Sequence, residues 1–210
     1  MMTRVLIADD HQLFRQGLRG LLERAGHEVV AEASDGREAL RLARTLNPDV
    51  AVLDLSMPQL NGLDAAHEIL RAVPEIKIIL LTMYNDRAYV LQALRAGAKG
   101  YVLKTQAAED LLGAIDEVTN GEVYLSPGVA NTVVDAYLGK NDLDVDPLTS
   151  RERQILQLVA EGNTTKEIAK LLSVSFKTAE SHRNRIMKKL DVHEVTGLVR
   201  YAIRRGMVQP

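Results

Sequence analysis

The chain has 210 residues, of which 46% are hydrophobic and 26% charged, a composition typical of a folded globular protein with one large domain or two modest ones. It has no cysteine, which excludes disulfides and cysteine-ligated zinc and favours a cytoplasmic location, and no apolar run is long enough to cross a membrane. The net charge of −2 is unevenly divided, because residues 147–210 hold 12 basic and 6 acidic residues whereas residues 1–146 hold 14 and 22. An acidic first part and a basic last part predict two domains, the second of which faces a polyanion.

The first 120 residues alternate between strand and helix patterns. Short apolar runs predict strands at 4–8, 28–33, 50–54, 77–82 and 100–104. Each run is followed by apolar residues at helical spacing, and glycine or proline ends most of the helices. Five such repeats predict an α/β doubly wound, five-stranded parallel sheet of flavodoxin-like architecture, with helices on both faces.

Polar residues stand at the carboxyl ends of four of these strands. They are Asp9, Asp10, Asp54, Thr82 and Lys104. In a doubly wound sheet these strand ends meet at one crevice. Clustered carboxylates are unfavourable unless a cation neutralises them, and an all-oxygen cluster suits Mg²⁺ or Mn²⁺. Together with one hydroxyl and one ammonium group, such a cation would stabilise a phosphoryl group, so the pattern predicts phosphoryl transfer to a carboxylate.

The same residues, with the runs Leu53–Pro58 and Gly100–Lys104, resemble the receiver domain of a two-component response regulator. The resemblance implies that Asp54 accepts a phosphoryl group from a sensor histidine kinase. The implied Mg²⁺ ligands are Asp9, Asp10, Asp54 and the backbone carbonyl of Ser56. The implied switch residues, which rearrange around the phosphoryl group, are Thr82, Tyr101 and Lys104. Many receivers have a proline after the lysine; Thr105 stands here, which leaves the geometry of that peptide open.

Residues 122–147 are predicted to be a linker between a domain at 1–121 and another at 148–210. The first part of the linker contains a short helical pattern over 129–138. Residues 139–147 are polar, acidic and poor in core residues, which is typical of a hinge, although an ordered acidic loop is an alternative.

The last part of the chain is predicted to be all-helical, with four short helices. Thr149 followed by Glu152 is the pattern of a helix start, and two short helices separated by residues 173–175 form a helix-turn-helix candidate. The third helix, from Lys177 to Leu190, carries five basic residues and one acidic residue, as expected for a helix that approaches a polyanion.

Residues 148–192 resemble a LuxR-type DNA-binding domain, on the run from Leu148 to Arg153, the run Lys166–Ala169, the run Ser175–Thr178, and His182. With the receiver, the whole chain resembles a NarL/FixJ-type response regulator. The resemblance implies DNA contacts by Lys177, Thr178, Glu180, Ser181, His182, Asn184, Arg185, Lys188 and Lys189. Among these, Thr178, His182, Lys188 and Lys189 would hold phosphates, whereas Glu180, Ser181 and Asn184 would face base edges.

The sequence therefore predicts a transcriptional regulator rather than a free-standing enzyme. Phosphorylation of Asp54 would promote a homodimer that binds promoter DNA, with an inverted repeat as the expected operator. Two alternatives stay open. A haloacid dehalogenase-type phosphatase would need a second aspartate at the position of Ser56, and a regulator that is never phosphorylated would not need the full set of site residues.

Overall fold

The structure is a computed structural model that describes residues 2–85, 87–130, 133 and 147–208. The first part forms a six-stranded, all-parallel sheet in the order β2-β1-β3-β4-β5-β6. The strands are β1 Arg4–Ala8, β2 Glu28–Ala33, β3 Val50–Asp54, β4 Lys77–Thr82, β5 Gly100–Leu103 and β6 Tyr124–Leu125. The helices are α1 Gln12–Arg24, α2 Gly36–Leu46, α3 Gly62–Ala72, α4 Arg87–Arg95 and α5 Ala107–Thr119.

The sheet is covered on both faces, as the continuous apolar strands require. Alternate residues of β3 point to opposite sides: Leu53 belongs to the core shared with α2, α3 and α4, whereas Val52 belongs to the core shared with α1 and α5. All five residues of β3 are buried, including Asp54. The doubly wound prediction is confirmed.

The predicted count of five strands is wrong, because β6 adds a sixth. This two-residue strand pairs in parallel with β5, with Tyr124 beside Gly100 and Leu125 beside Tyr101. Two residues are too few to show an alternating pattern, so sequence periodicity could not reveal the strand. β6 lies within the segment predicted to be a linker; a helical turn follows at 127–130, and the predicted helix over 129–138 and the acidic stretch lie largely outside the described residues.

The last part contains α6 Ser150–Ala160, α7 Thr165–Leu171, α8 Phe176–Leu190 and α9 Val195–Arg204. Thr149 caps α6 through a capping box with Glu152, as the sequence predicts. Ser173 takes a left-handed conformation in the turn between α7 and α8. The four helices bury a separate apolar core that includes Ile155, Ile168 and Ile186. In the part of the chain that the structure describes, no helix has the length and apolar character to span a bilayer.

Candidate phosphoacceptor site and nucleic-acid interface

Acidic side chains and one lysine meet at the carboxyl edge of the sheet. Asp54 ends β3 and is 4% exposed, and Asp9, directly after β1, is 1% exposed. The Lys104 ammonium lies 2.7 Å from Asp9 Oδ2 and 3.0 Å from Asp54 Oδ2. One ligand atom each from Asp9, Asp10, His11 and Asp54 lies within 4.8 Å of all the others. The structure therefore brings together the carboxylates and the lysine that the sequence predicts.

His11 is a member of this cluster that the sequence reading missed. Its Nδ1 lies 2.7 Å from Asp10 Oδ1, and its backbone N–H donates a 2.8 Å hydrogen bond to Asp9 Oδ1. The only signal in the sequence was its position directly after the two aspartates. Because His11 holds both carboxylates, we assign it a role in positioning them.

The site has more negative than positive charge. Burial raises the pKa of Asp54 above its ordinary value, Lys104 lowers it, and the neighbouring Asp9 and Asp10 raise it further. Burial lowers the pKa of Lys104, but its ion pairs with Asp54 and Asp9 outweigh burial, so that this pKa is raised. One ammonium group cannot neutralise three carboxylates, and oxygen ligands are those that Mg²⁺ and Mn²⁺ prefer. These residues fit a divalent cation.

Two of the three predicted switch residues, Thr82 and Tyr101, contact the loop between β4 and α4. Thr82 is fully buried, and its Oγ1 accepts a 3.1 Å hydrogen bond from the backbone N–H of Tyr84. The buried Tyr101 donates a 2.7 Å hydrogen bond from its hydroxyl to the carbonyl of Tyr84. Switch residues thus bind both the backbone N–H and the backbone carbonyl of Tyr84. Lys104 itself begins a short 3-10 turn, and no described peptide bond, including the one before Thr105, is cis.

An open cavity of about 1000 Å³ reaches the site from the side of α1 and α5. Its lining includes Asp54, Ser56, Lys104, Phe14 and Met83. Asp54 is therefore buried within the fold and also forms part of the lining of an open cavity.

The residues predicted to contact DNA lie on α8, and they differ in how exposed their side chains are. The exposed ones are Lys177, Thr178, Glu180, Ser181, Asn184, Arg185, Lys188 and Lys189, whereas His182 is half-buried. Ala179 and Ile186 point the other way, into the helical core. The exposed residues thus share one face of α8, and the opposite face of the helix packs into the domain core.

Lys189 differs from its neighbours on α8. Its ammonium lies 2.7 Å from Oε2 of the buried Glu152 and donates a 3.1 Å hydrogen bond to the carbonyl of Pro147. Burial alone would raise the pKa of Glu152, but hydrogen bonds from Lys189 and Thr149 hold it below its ordinary value. In this arrangement Lys189 ties α8 to the start of α6 and is not directed at a phosphate.

The helical part packs against the loop that follows Asp54. The buried amide of Gln157 on α6 donates to the carbonyl of Met57 at 2.7 Å and accepts from the backbone N–H of Asn61 at 2.9 Å. Nearby, Arg153 donates a 2.8 Å hydrogen bond to Asp64, which is fully buried at the start of α3. Because buried polar groups cost free energy unless they are paired, these complementary pairs specify one docked arrangement.

The turn after α9 makes the other half of this contact. Ser56 donates from its hydroxyl to the carbonyl of Gly206 at 3.0 Å, and Tyr89 on α4 donates to the carbonyl of Arg204 at 3.1 Å. Gly206 has a φ of +56°, and a Cβ there would lie 2.9 Å from the Tyr89 hydroxyl. Only glycine fits this position without strain. Sequence patterns gave no indication of the interface, because each of its residues is ordinary in its own segment.

Both parts of the chain match known families. Residues 5–116 match the response regulator receiver domain, and residues 146–202 match the bacterial regulatory proteins of the luxR family. The chain is 42% identical over 210 residues to the transcriptional regulatory protein LiaR of Bacillus subtilis, covering 99% of this chain and 100% of the relative. It is 38% identical over 207 residues to MctR of Rhizobium johnstonii, covering 98% and 95%.

Solved structures give the same result. RcsB from Salmonella enterica serovar Typhimurium, bound to a promoter in the presence of phosphomimetic BeF₃⁻, is 32% identical with a TM-score of 0.62 over 96% of this chain and 98% of RcsB. A LuxR-family response regulator from Aurantimonas is 36% identical with a TM-score of 0.64 over 66% of this chain and 100% of the other. The chain therefore belongs to the two-component response regulators that join a receiver domain to a LuxR-type DNA-binding domain.

Proposed function

We propose that Asp54 is the phosphoacceptor of this regulator and that its phosphorylation promotes pairing of two chains on promoter DNA. The observation that carries this proposal is the buried Asp54 carboxylate, which the Lys104 ammonium bridges to Asp9 and which forms part of the lining of the open cavity. The proposed donor is the phosphohistidine of a sensor kinase, and a small acyl phosphate would serve the same site.

The chemistry follows from these side chains. A carboxylate oxygen of Asp54 forms a bond to phosphorus while the bond from phosphorus to the donor breaks, and the donor keeps that electron pair. Lys104 already lies 3.0 Å from Asp54 Oδ2 and would pair with a phosphoryl oxygen. Asp9, Asp10, Asp54 and the Ser56 carbonyl are the proposed ligands of Mg²⁺, with Mn²⁺ as a substitute. The cation would supply positive charge to the phosphoryl oxygens.

The phosphorylated site would act on the docked domain through two loops. Thr82 would turn its hydroxyl to donate to a phosphoryl oxygen, and this movement would shift the loop before α4, because Thr82 Oγ1 accepts the backbone N–H of Tyr84. Tyr89 and Ser56, which hold the turn after α9, lie on α4 and on the loop after Asp54. Phosphorylation would therefore weaken docking and favour the pairing of two chains.

DNA binding is the proposed output. The family match runs from before α6 into α9, and RcsB, a relative of this chain, has been captured on a promoter. Lys177, Arg185 and Lys188 lie on the exposed face of α8 and would contact phosphates, while Glu180, Ser181 and Asn184 would face bases. Two paired domains would match an inverted repeat, because protein and operator then share a two-fold axis.

The phosphoacceptor is tested by incubating the protein with acetyl phosphate and Mg²⁺ and measuring intact mass. Wild type should gain one phosphoryl group that hydroxylamine removes, as expected for an acyl phosphate. The Asp54→Asn variant should gain none, and Asp49→Asn, at the opposite, amino-terminal end of β3, should behave as wild type. Equal labelling of wild type and Asp54→Asn would disprove the assignment.

A further inference from the structure

The docked domain turns its DNA-reading helix away from the receiver. Polar contacts with residues 2–130 come from Arg153 and Gln157 on α6, from Glu161 directly after it, and from the turn at 204–206. Among the described residues, no hydrogen bond or ion pair joins α8 to the receiver; the side-chain bonds of α8 to other elements end on Thr165, Glu152 and Pro147. Docking therefore uses the side of the helical domain that α8 does not occupy.

The outward face of α8 is free in the docked state. Lys177, Arg185 and Lys188 are exposed although the receiver is in place. Within the described part of the chain, none of these three cations has a carboxylate oxygen within 4.0 Å, in contrast to Arg153 and Lys189, which pair with Asp64 and Glu152. Three unpaired exposed cations on one helix face keep their full attraction for DNA phosphates.

Docking does restrict the end of α9. Val195, Val199 and Ile203 recur at four-residue spacing on α9, and each is at least partly exposed. This apolar stripe ends directly before Arg204, whose carbonyl is bound by Tyr89 of the receiver. A second chain that paired along the stripe would meet the receiver there.

From these relationships we infer that the docked, unphosphorylated chain is already able to bind one DNA half-site. Docking then limits the pairing of two chains and leaves entry of α8 into the groove unaffected. The inference rests on the proposed function for its account of what phosphorylation adds, but the accessibility of α8 concerns the docked chain alone.

A cross-link that holds the domains together tests this inference. The chain has no cysteine, so Gln59→Cys with Glu161→Cys gives one specific pair, and a short bismaleimide can join them. These positions suit a cross-link because the backbone N–H of Gln59 lies 2.9 Å from Glu161 Oε1 across the interface. The probes are two duplexes, a half-site and the full inverted repeat, taken from sequences that the BeF₃⁻-treated wild type selects from a random pool.

The linked protein, the unlinked double variant and wild type should bind the half-site with dissociation constants within about twofold of one another, and with the same salt dependence. BeF₃⁻ should tighten binding to the inverted repeat for the unlinked proteins and not for the linked one. A tenfold or greater loss of half-site binding on linking would overturn the inference, because docking would then mask α8.

A second variant tests the inference without the chemical cross-link. Gln157→Leu should loosen docking, and it should leave half-site binding unchanged while tightening binding to the inverted repeat without BeF₃⁻. A tenfold gain in its half-site binding would contradict the inference. Failure of BeF₃⁻ to act on unlinked wild type would instead refute the proposed function, so the two failures are distinguishable.

Discussion

The hydroxyl of Ser56 donates a hydrogen bond to the carbonyl of Gly206, 150 residues further along the chain. Ser56 stands two residues after the proposed phosphoacceptor Asp54, and Gly206 belongs to the turn that follows α9 of the DNA-binding domain. Only one residue separates Asp54 from Ser56 in the chain, so a conformational change at the acidic site is transmitted over a short distance to a residue that contacts the other domain. This proximity gives the proposed switch its physical route.

Replacing Gly206 with Ala should weaken docking. The left-handed φ of +56° costs a residue with a Cβ roughly 1–2 kcal/mol, and that Cβ would lie 2.9 Å from the Tyr89 hydroxyl. We expect tighter binding to the inverted repeat without phosphorylation, measured by fluorescence anisotropy. Gly162→Ala is the matched control, since Gly162 also has a positive φ but no atom within 4 Å of its Cβ position. Similar gains for both variants would show that backbone strain, and not docking, is the cause.

Gln157→Leu should expose the loop after Asp54. The substitution leaves the Met57 carbonyl and the Asn61 N–H without their partner, at a cost of about 1–3 kcal/mol to the docked state. Amide hydrogen exchange at Asn61 should therefore become faster. Gln154→Leu on the same helix removes only a bond with Arg151 inside the domain, so it should leave that exchange rate unchanged. Unaltered protection in Gln157→Leu would disprove the role of this side chain.

Lys189→Ala should destabilise the DNA-binding domain. It leaves the buried Glu152 carboxylate without its cation, and we expect a loss of about 1–3 kcal/mol in the free energy of unfolding. Because the folded-state pKa of Glu152 lies below its ordinary value of 4.5, the contribution is present above that pH and is lost as the pH falls through the folded-state pKa. Thermal unfolding followed from neutral pH into acid should show the deficit shrinking as Glu152 becomes protonated.

The exposed Lys188 provides the control, since Lys188→Ala should leave the melting temperature nearly unchanged. A Lys189→Ala variant that melts like wild type but loses DNA binding would instead restore Lys189 to the phosphate contacts predicted from the sequence.

Asn184→Ala and Lys188→Ala should affect DNA binding differently. Loss of a base contact relaxes the preference for one sequence and costs roughly 1–3 kcal/mol on the preferred duplex, whereas loss of a phosphate contact weakens all duplexes similarly and lowers the salt slope by about one. Titrations on selected and scrambled duplexes at several salt concentrations separate the two effects. The same profile for both variants would refute the division between base and phosphate contacts.

How much the sequence could predict depended on whether a feature was local. The ends of β1, β3 and β4 could be read because apolar runs stop at Asp9, Asp54 and Thr82, and parallel strands bring such ends together. Lys189, by contrast, is one of two adjacent lysines, and nothing in the sequence separates the one bound to Glu152 from the exposed one.

The interface between the domains could not be predicted from sequence patterns, because its residues are distant from one another in the chain. Gln157 reads as an ordinary polar helix residue, and Gly206 as a helix stop. Their roles arise from contacts with residues about 100 and 150 positions away, which no local period records.

The central claim, that the state of Asp54 controls pairing on DNA, is tested most directly by one paired measurement. Mass in solution and affinity for the inverted repeat are followed for wild type and Asp54→Asn, with Mg²⁺, before and after addition of BeF₃⁻. Wild type alone should become a dimer and bind the repeat more tightly, by at least tenfold, about 1.4 kcal/mol. If wild type stays monomeric with unchanged affinity, or if Asp54→Asn responds equally, Asp54 does not control pairing and the receiver serves as a scaffold that phosphorylation does not control.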